Sequence, residues 1–200
     1  MDYTKFCDDI WDQLTALNIS DDGNVSPLLT KLSNLDAFLA PAQVSGITRV
    51  QWIDSLAIAG SLVQGGFAWS NSVAVNKAGQ RWIKIAADHL DGASTTKISK
   101  EVFQSICNSR VRPYFTSTSV PKPQFVLESE DSKVDTRIMD GKKEWSAQFQ
   151  CVATFIWAFE HLQDEDLIAT ISYILPVPLD LVDYHHIRAK VHGTKLVLRL

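Results

Sequence analysis

Cysteine is scarce in this chain of 200 residues, and its three cysteines, Cys7, Cys107 and Cys151, lie far apart. No CxxC pair and no Cys/His cluster with metal-site spacing occurs, so neither a zinc site nor a disulfide framework is indicated. Isolated thiols in apolar helical patterns are typical of free, buried cysteines in a reducing compartment. The sequence therefore predicts a cytoplasmic protein that holds no metal and no cofactor.

Long uncharged apolar runs are also missing. The nearest candidate, Ala147–Phe159, is bracketed by acidic residues and is too short to cross a bilayer. The opening stretch, MDYTKFCDDIW, is acidic and amphipathic, unlike a signal or transit peptide. These two observations predict a chain that does not associate with membranes.

Enzyme signatures are absent as well, since the sequence contains no GxGxxG, Walker loop, GxSxG or HExxH motif. Asp88, His89 and Asp91 would place an imidazole and two carboxylates close together on a helix, but no nucleophile or metal accompanies them. His185 and His186 are adjacent, so their side chains diverge, and their surroundings match no standard ligand set. We therefore predict no catalytic residues, no metal site and no enzymatic activity.

Charge is present but unevenly placed, although the net charge is only −4. Residues 1–36 hold seven aspartates against two lysines, whereas no acid lies between Glu101 and Glu128 and none follows Asp183. An acidic beginning and two basic stretches indicate either head-to-tail association or a local anion-binding groove. The alternative is that the charges are simply scattered.

Apolar residues recur at helical spacing along most of the chain. The strongest pattern is Glu144–Glu160, where Phe155 and Trp157 widen the apolar stripe until it covers most of the helix. Such a helix is usually buried, so we expect it either at the centre of the core or shared with a second subunit. Similar patterns predict helices at 2–17, 26–39, 48–64, 76–90, 96–109 and 165–175.

Three stretches do not fit this periodicity. Residues 67–75 favour a short strand or an extended connector, and 110–140 favour a long irregular segment that is an arm, a functional loop or a short hairpin. Residues 179–200 favour a helix ended by Gly193 and followed by an extended tail, with a β-hairpin as the alternative. The predicted fold is mainly α, with six to eight helices in one compact bundle-like domain over 1–200. That domain divides into a helical part (1–109), an arm (110–143) and a central-helix part (144–200).

The stretch Asn108–Phe125 combines basic, aromatic and hydroxyl side chains and contains no acid. Single-stranded nucleic acid is held by such chemistry, because cations follow the phosphates and aromatic faces stack on the bases. The alternative is a surface loop whose aromatic side chains pack into the core. The candidate RNA-binding residues are Arg110, Arg112, Tyr114, Phe115, Lys122, Lys142 and Lys143.

These observations favour a non-enzymatic structural protein that assembles with itself, with single-stranded RNA as a candidate ligand, in the manner of a viral coat or nucleocapsid subunit. Trp157, on the far side of the central helix, is the candidate residue of the homo-oligomer interface. The alternative is an intracellular protein-interaction or regulatory module that binds no nucleic acid. A third hypothesis is an enzyme of unfamiliar type that uses Asp88, His89 or the C-terminal histidines.

Overall fold

A computed structural model describes residues 2–19, 24–40, 44–90, 97–115, 149–183 and 187–200. The predicted mainly α fold is confirmed, because these residues are largely helical and contain no strand, only an isolated bridge between Ile98 and Leu162. The α-helices are α1 (Tyr3–Ile19), α2 (Ser26–Leu32), α3 (Leu35–Phe38), α4 (Arg49–Val63), α5 (Val73–Leu90), α6 (Lys100–Ile106), α7 (Arg112–Phe115), α8 (Phe149–His161), α9 (Leu167–Ile174), α10 (Pro176–Asp183) and α11 (Ile187–Val197).

Helices α4 and α5 form a close-packed pair. Helix α4 begins with a capping box, in which the Thr48 hydroxyl oxygen accepts from the Gln51 backbone N–H and the Gln51 side chain accepts from the Thr48 N–H. The two helices approach closely at Gly79, where a Cβ atom would lie 2.9 Å from the Leu62 Cβ and 3.1 Å from the Ala59 carbonyl oxygen. Glycine at this position therefore sets the distance between the two helices.

Helix α8 is the centre of the core, as the apolar pattern predicts for residues 149–160; the first part of that pattern, 144–148, lies outside the described residues. Every residue from Gln150 to Phe159 is buried, against α1, α4 and α6. The Thr154 hydroxyl donates to the Ala57 carbonyl oxygen over 3.3 Å, and the Gln150 side-chain amide donates to the Thr15 hydroxyl. Polar side chains in this helix are thus paired with neighbouring helices.

The predicted irregular segment begins later than expected. Helix α6 continues through a π-helical turn, Cys107–Val111, into α7, so residues 110–115 are helical. Pro113, which has no N–H to donate to the preceding turn, lies two residues after the end of this π-helical turn. Residues 116–148, with the predicted arm or hairpin, lie outside the described residues. The extended connector predicted at 67–75 is a 3₁₀ turn, Ala68–Asn71, followed by the start of α5.

The predicted C-terminal helix is confirmed over 179–183 and 187–192, whereas the β-hairpin alternative and the extended tail after Gly193 are wrong, because the last helix continues to Val197. Gly193 does not end this helix. A Cβ atom at Gly193 would lie 2.7 Å from the Val182 nitrogen and 2.8 Å from the Leu181 Cβ. The glycine therefore serves close packing of α11 on α10, a role that a sequence pattern does not distinguish from helix termination.

Helices α9 and α10 run almost continuously. Leu175, between them, has helical dihedral angles (φ −59°, ψ −38°), and its N–H donates to the Ile171 carbonyl oxygen over 2.9 Å. The element boundary falls here because Pro176 has no N–H to donate to the preceding turn. Within the described part of the chain, no helix is long and apolar enough to span a membrane.

Three of the seven aspartates in residues 1–36 are paired within the chain itself. Three N-terminal aspartates contact cations on other helices, and the pairs are Asp9 with Lys31 (2.8 Å), Asp36 with Arg81 (2.5 Å) and Asp8 with Arg110 (3.1 Å). The uneven charge in the sequence thus brings together elements of one molecule.

Candidate protein-interaction surface

Arg110, the first candidate RNA-binding residue, is held inside the chain. Its Nε donates to the Asp54 Oδ1 over 2.5 Å, a second bond joins the same two groups, and its Nη2 donates to Asp8 over 3.1 Å. The guanidinium lies 5.0 Å from the centre of the Trp11 ring. Burial alone would lower the pKa of Arg110, but the hydrogen bond and charge of Asp54, followed by those of Asp8, raise it above its usual value.

Of the other candidate RNA-binding residues, the structure describes Arg112, Tyr114 and Phe115. Arg112 donates to the Asn108 side chain over 3.2 Å and lies 5.2 Å from the centre of the Tyr173 ring. Tyr114 is partly buried and Phe115 is 7% exposed, so both aromatic side chains pack against the core. The remaining three, Lys122, Lys142 and Lys143, lie outside the described residues. The roles assigned to these residues individually stay predictions.

Trp157, the candidate interface residue, is 2% exposed and packs within the chain. Its ring lies directly over the α4 backbone, since a Cβ atom at Gly60 would be 2.3 Å from ring carbons of Trp157. The His161 ring stacks on Trp157 at a centroid distance of 4.7 Å. The side chain therefore joins α8 to α4.

The three cysteines are free and buried. Burial raises the pKa of Cys7 and of Cys107 to about 12, and also raises the pKa of Cys151. A thiol with so high a pKa is almost entirely protonated at neutral pH, and the nucleophile is the thiolate. Across the described ranges, His, Cys, Asp and Glu side chains form no group of three that could hold a metal ion.

The exposed apolar side chains are concentrated at the C-terminal end of the described chain. Of the large exposed apolar residues in the described part, all but Val50 and Val73 lie between 168 and 200. Those on α9, on α10 and at the residue between them form one stripe with helical spacing of three, four and four residues. We call this stripe the C-terminal apolar face; its members are Ile168 (85% exposed), Ile171 (44%), Leu175 (42%) and Leu179 (48%).

The C-terminal apolar face lies in an uncharged stretch with acids at both ends. No charged residue occurs between Leu167 and Leu179. The run Asp164–Asp166 precedes the stretch, and Asp180 and Asp183 follow it. Single exposed apolar residues are normal on a protein surface, whereas a contiguous patch with a polar rim marks an interaction site.

Helix α11 also exposes apolar residues, but its surroundings are basic. On this helix Ile187 is 70% exposed and Val191 44%, Leu198 directly after it is 82% exposed, and Lys190 and Lys195 are exposed as well. The exposed apolar residues of α9 and α10 therefore lie near acidic side chains, whereas those of α11 lie near basic ones.

His192 fixes α11 to the turn before α5. Its ring stacks on the Phe67 ring at a centroid distance of 5.1 Å and an interplanar angle of 10°. It also covers Gly66, whose φ of 91° is accessible to glycine but rarely to other residues. Burial, and to a lesser extent the charge of Lys195, lowers the pKa of His192.

We expect His192→Phe to reduce the loss of stability in mild acid, because phenylalanine keeps the stacking on Phe67 but takes up no proton. The neutral form of His192 contributes stability above the unfolded pKa of about 6.5, and this contribution is lost as the pH falls through the lowered folded value. Urea unfolding of wild type and variant at neutral pH and at about pH 5 measures the difference. His89→Phe, at a more exposed stack on Trp52, is the control and should leave the acid loss in place. Equal acid losses for wild type and His192→Phe would contradict the prediction.

The fold and this surface define a class: a compact helical protein with a surface suited to contact with other protein chains. The chain belongs to the Tti2 family, whose profile matches residues 68–200. The match includes α5 to α11 and hence the whole C-terminal apolar face. Comparisons with curated proteins and with solved structures return no match.

The family corrects the leading functional hypothesis. A viral coat or nucleocapsid subunit that assembles with itself and binds single-stranded RNA is wrong, because the Tti2 family consists of cellular, adaptor-type proteins that work in a complex with other proteins. The alternative, an intracellular protein-interaction module, fits the family. The absence of catalytic motifs does not distinguish a coat subunit from an adaptor, because both classes lack them.

Proposed function

We propose that this chain is a non-enzymatic adaptor subunit that joins other protein chains in a cytoplasmic assembly. The Tti2 family works in the TTT complex and takes part in the assembly of PIKK kinases, and we propose the same setting for this chain. The observation that carries the proposal is the C-terminal apolar face, which leaves four large side chains exposed on one uncharged helical stretch.

The size of the exposed groups explains why a partner would bind there. Burying apolar surface releases about 25 cal/mol per Å², so a patch of several leucine and isoleucine side chains favours contact with another protein over contact with water. Acidic residues at the rim add selectivity, because wrong partners with like charge are repelled. A binding role also requires no reactive side chain, and the three buried thiols are protonated and therefore unreactive.

We also propose that the chain folds as one domain. Its buried apolar residues form one cluster that extends from Tyr3 in α1 to Leu196 in α11. Contacts between α1 and α8 join the first helix of the described chain to its C-terminal half. A rigid single domain would hold the C-terminal apolar face in a fixed position relative to the rest of the molecule.

We expect the tagged full-length chain, purified from its own cells at physiological salt, to elute with other proteins in a defined stoichiometry. Light scattering and mass spectrometry of the eluted species measure the mass and the composition. Treatment with ribonuclease should leave the mass unchanged, because an adaptor of this kind needs no nucleic acid. A chain that elutes alone as a monomer, with no protein partner at any salt concentration, would overturn the proposal.

A further inference from the structure

The C-terminal apolar face has the geometry of a helix-packing surface. Its exposed side chains lie in two rows with a spacing of four residues, and Leu175 keeps the rows in register because its backbone is helical. Rows of this kind are ridges with a groove between them, into which the side chains of a second helix insert. One row consists of Ile168, Ser172 and Pro176, and the other of Ile171, Leu175 and Leu179.

The composition of the rows favours a helix over an extended strand. Ser172 and Pro176 are small beside the large aliphatic residues of the facing row, so a second helix can approach closely on that side. Their backbone is helical and offers no free sheet edge to an extended peptide. The stripe from Ile168 to Leu179 is about 16 Å long at about 1.5 Å per residue, which corresponds to about three helical turns of a partner.

The acids at the two ends define the charge of the partner. Glu165 is exposed before the first row begins, and Asp183 is exposed after the last apolar position. Asp164 contacts Lys97 over 2.9 Å yet keeps 91% of its side chain exposed. Cations near both ends of a docked helix would meet these carboxylates, whereas acids at the same positions would be repelled.

We propose that the C-terminal apolar face binds an amphipathic α-helix of another protein, whose apolar stripe is bordered at both ends by lysine or arginine. This inference rests on the proposed adaptor function and specifies the chemistry of one partner. A single docked helix buries less than the roughly 1,600 Å² of a standard interface, so the contact belongs to the small, weak class of interfaces.

The test uses the full-length chain and synthetic helical peptides of about 18 residues, long enough to cover the face. One peptide carries leucines on one side and lysines in its first and last turns; a second has glutamates in place of the lysines; a third has a central proline. We expect the lysine peptide to bind at micromolar concentration and the other two to bind at least about tenfold more weakly, as measured by fluorescence anisotropy. Equal binding of the proline peptide would overturn the helical partner, and equal binding of the glutamate peptide would overturn the charge assignment.

Variants of the chain locate the binding site. Ile171→Ser with Leu175→Ser should weaken the binding of the lysine peptide at least about tenfold, since both residues belong to the face. Val50→Ser with Val73→Ser is the matched control, because these side chains are 72% and 68% exposed but lie elsewhere. Glu165→Lys with Asp183→Lys should reverse the preference, so that the glutamate peptide binds more tightly. Unchanged binding by the face variant, with thermal unfolding also unchanged, would overturn the site.

The proteins that co-purify with the chain distinguish failure of this inference from failure of the adaptor function. Loss of the co-purified proteins from the Ile171→Ser, Leu175→Ser chain supports the inference. Co-purified proteins that remain on this variant overturn the inference and leave the adaptor function standing. A doubled mass without any other protein, measured by light scattering, would mean that a second copy supplies the helix from its basic α11, and would overturn both.

Discussion

Asp54→Ala is expected to lower the free energy of unfolding by up to about 3–5 kcal/mol, because it leaves the partly buried Arg110 guanidinium without its main counter-charge. The Arg110 side chain is 15% exposed and that of Asp54 20%, so water can solvate the remaining charge only in part. Arg110 also connects α1, α4 and the π-helical turn, and loss of Asp54 weakens that junction. Urea unfolding followed by far-ultraviolet circular dichroism measures the change.

Asp8→Ala is the matched control, because it removes a carboxylate from the same guanidinium. The Asp8 side chain is 56% exposed, so its loss should cost less than about 1 kcal/mol. Replacing both members of this partly buried pair, Asp54→Leu with Arg110→Met, should recover part of the loss, since neither charge is then left without its counter-charge. Equal effects of Asp54→Ala and Asp8→Ala would show that burial does not decide the energy of this network.

Trp157→Ala is expected to cost about 3–5 kcal/mol of stability, because the substitution leaves a cavity between α8 and α4. The side chain is 2% exposed, and its ring occupies the space that a Cβ atom at Gly60 would need. The effect should therefore appear as a loss of stability in the isolated chain. Thermal and urea unfolding of the purified monomer measure it.

The contact between Gly60 and Trp157 provides a sharper control. Gly60→Ala in the wild-type chain should destabilise, because the new methyl group overlaps the ring. In the Trp157→Ala background the same change should stabilise by up to about 1 kcal/mol, since alanine is the better helix former and the space is empty. A coupling close to zero in this double-mutant cycle would contradict the packing described here.

The sequence predicted the helices best where apolar residues covered most of one helix. In α8, for example, Phe155, Ile156 and Trp157 leave no polar side, so burial was the only stable arrangement. The pattern could not show that α6 continues through a π-helical turn into α7 and ends at Phe115, because Pro113 normally indicates a break in a helix. The prediction that Gly193 ends a helix was wrong for a similar reason. Glycine occurs at helix ends and also where two helices pack closely, and only the neighbouring backbone distinguishes these two roles.

The candidate site was harder to predict than the fold. The basic residues near Arg110 suggested an anion site, but Asp8 and Asp54, distant in sequence, pair with that arginine in the folded chain. The apolar residues of α9 were visible in the sequence, yet periodicity alone does not show which apolar residues are buried. Ile174 is fully buried while Ile171 is 44% exposed, and that difference depends on tertiary packing.

The contact between α1 and α8 has a consequence for the time course of synthesis. The Thr15 hydroxyl accepts from the Gln150 amide across a sequence separation of 135 residues. At about 5–20 residues per second, a ribosome needs roughly 7–27 s to travel that distance. For this period the side of α1 that α8 later covers has no native neighbour, so its apolar residues stay exposed to other molecules in the cell until α8 has been made.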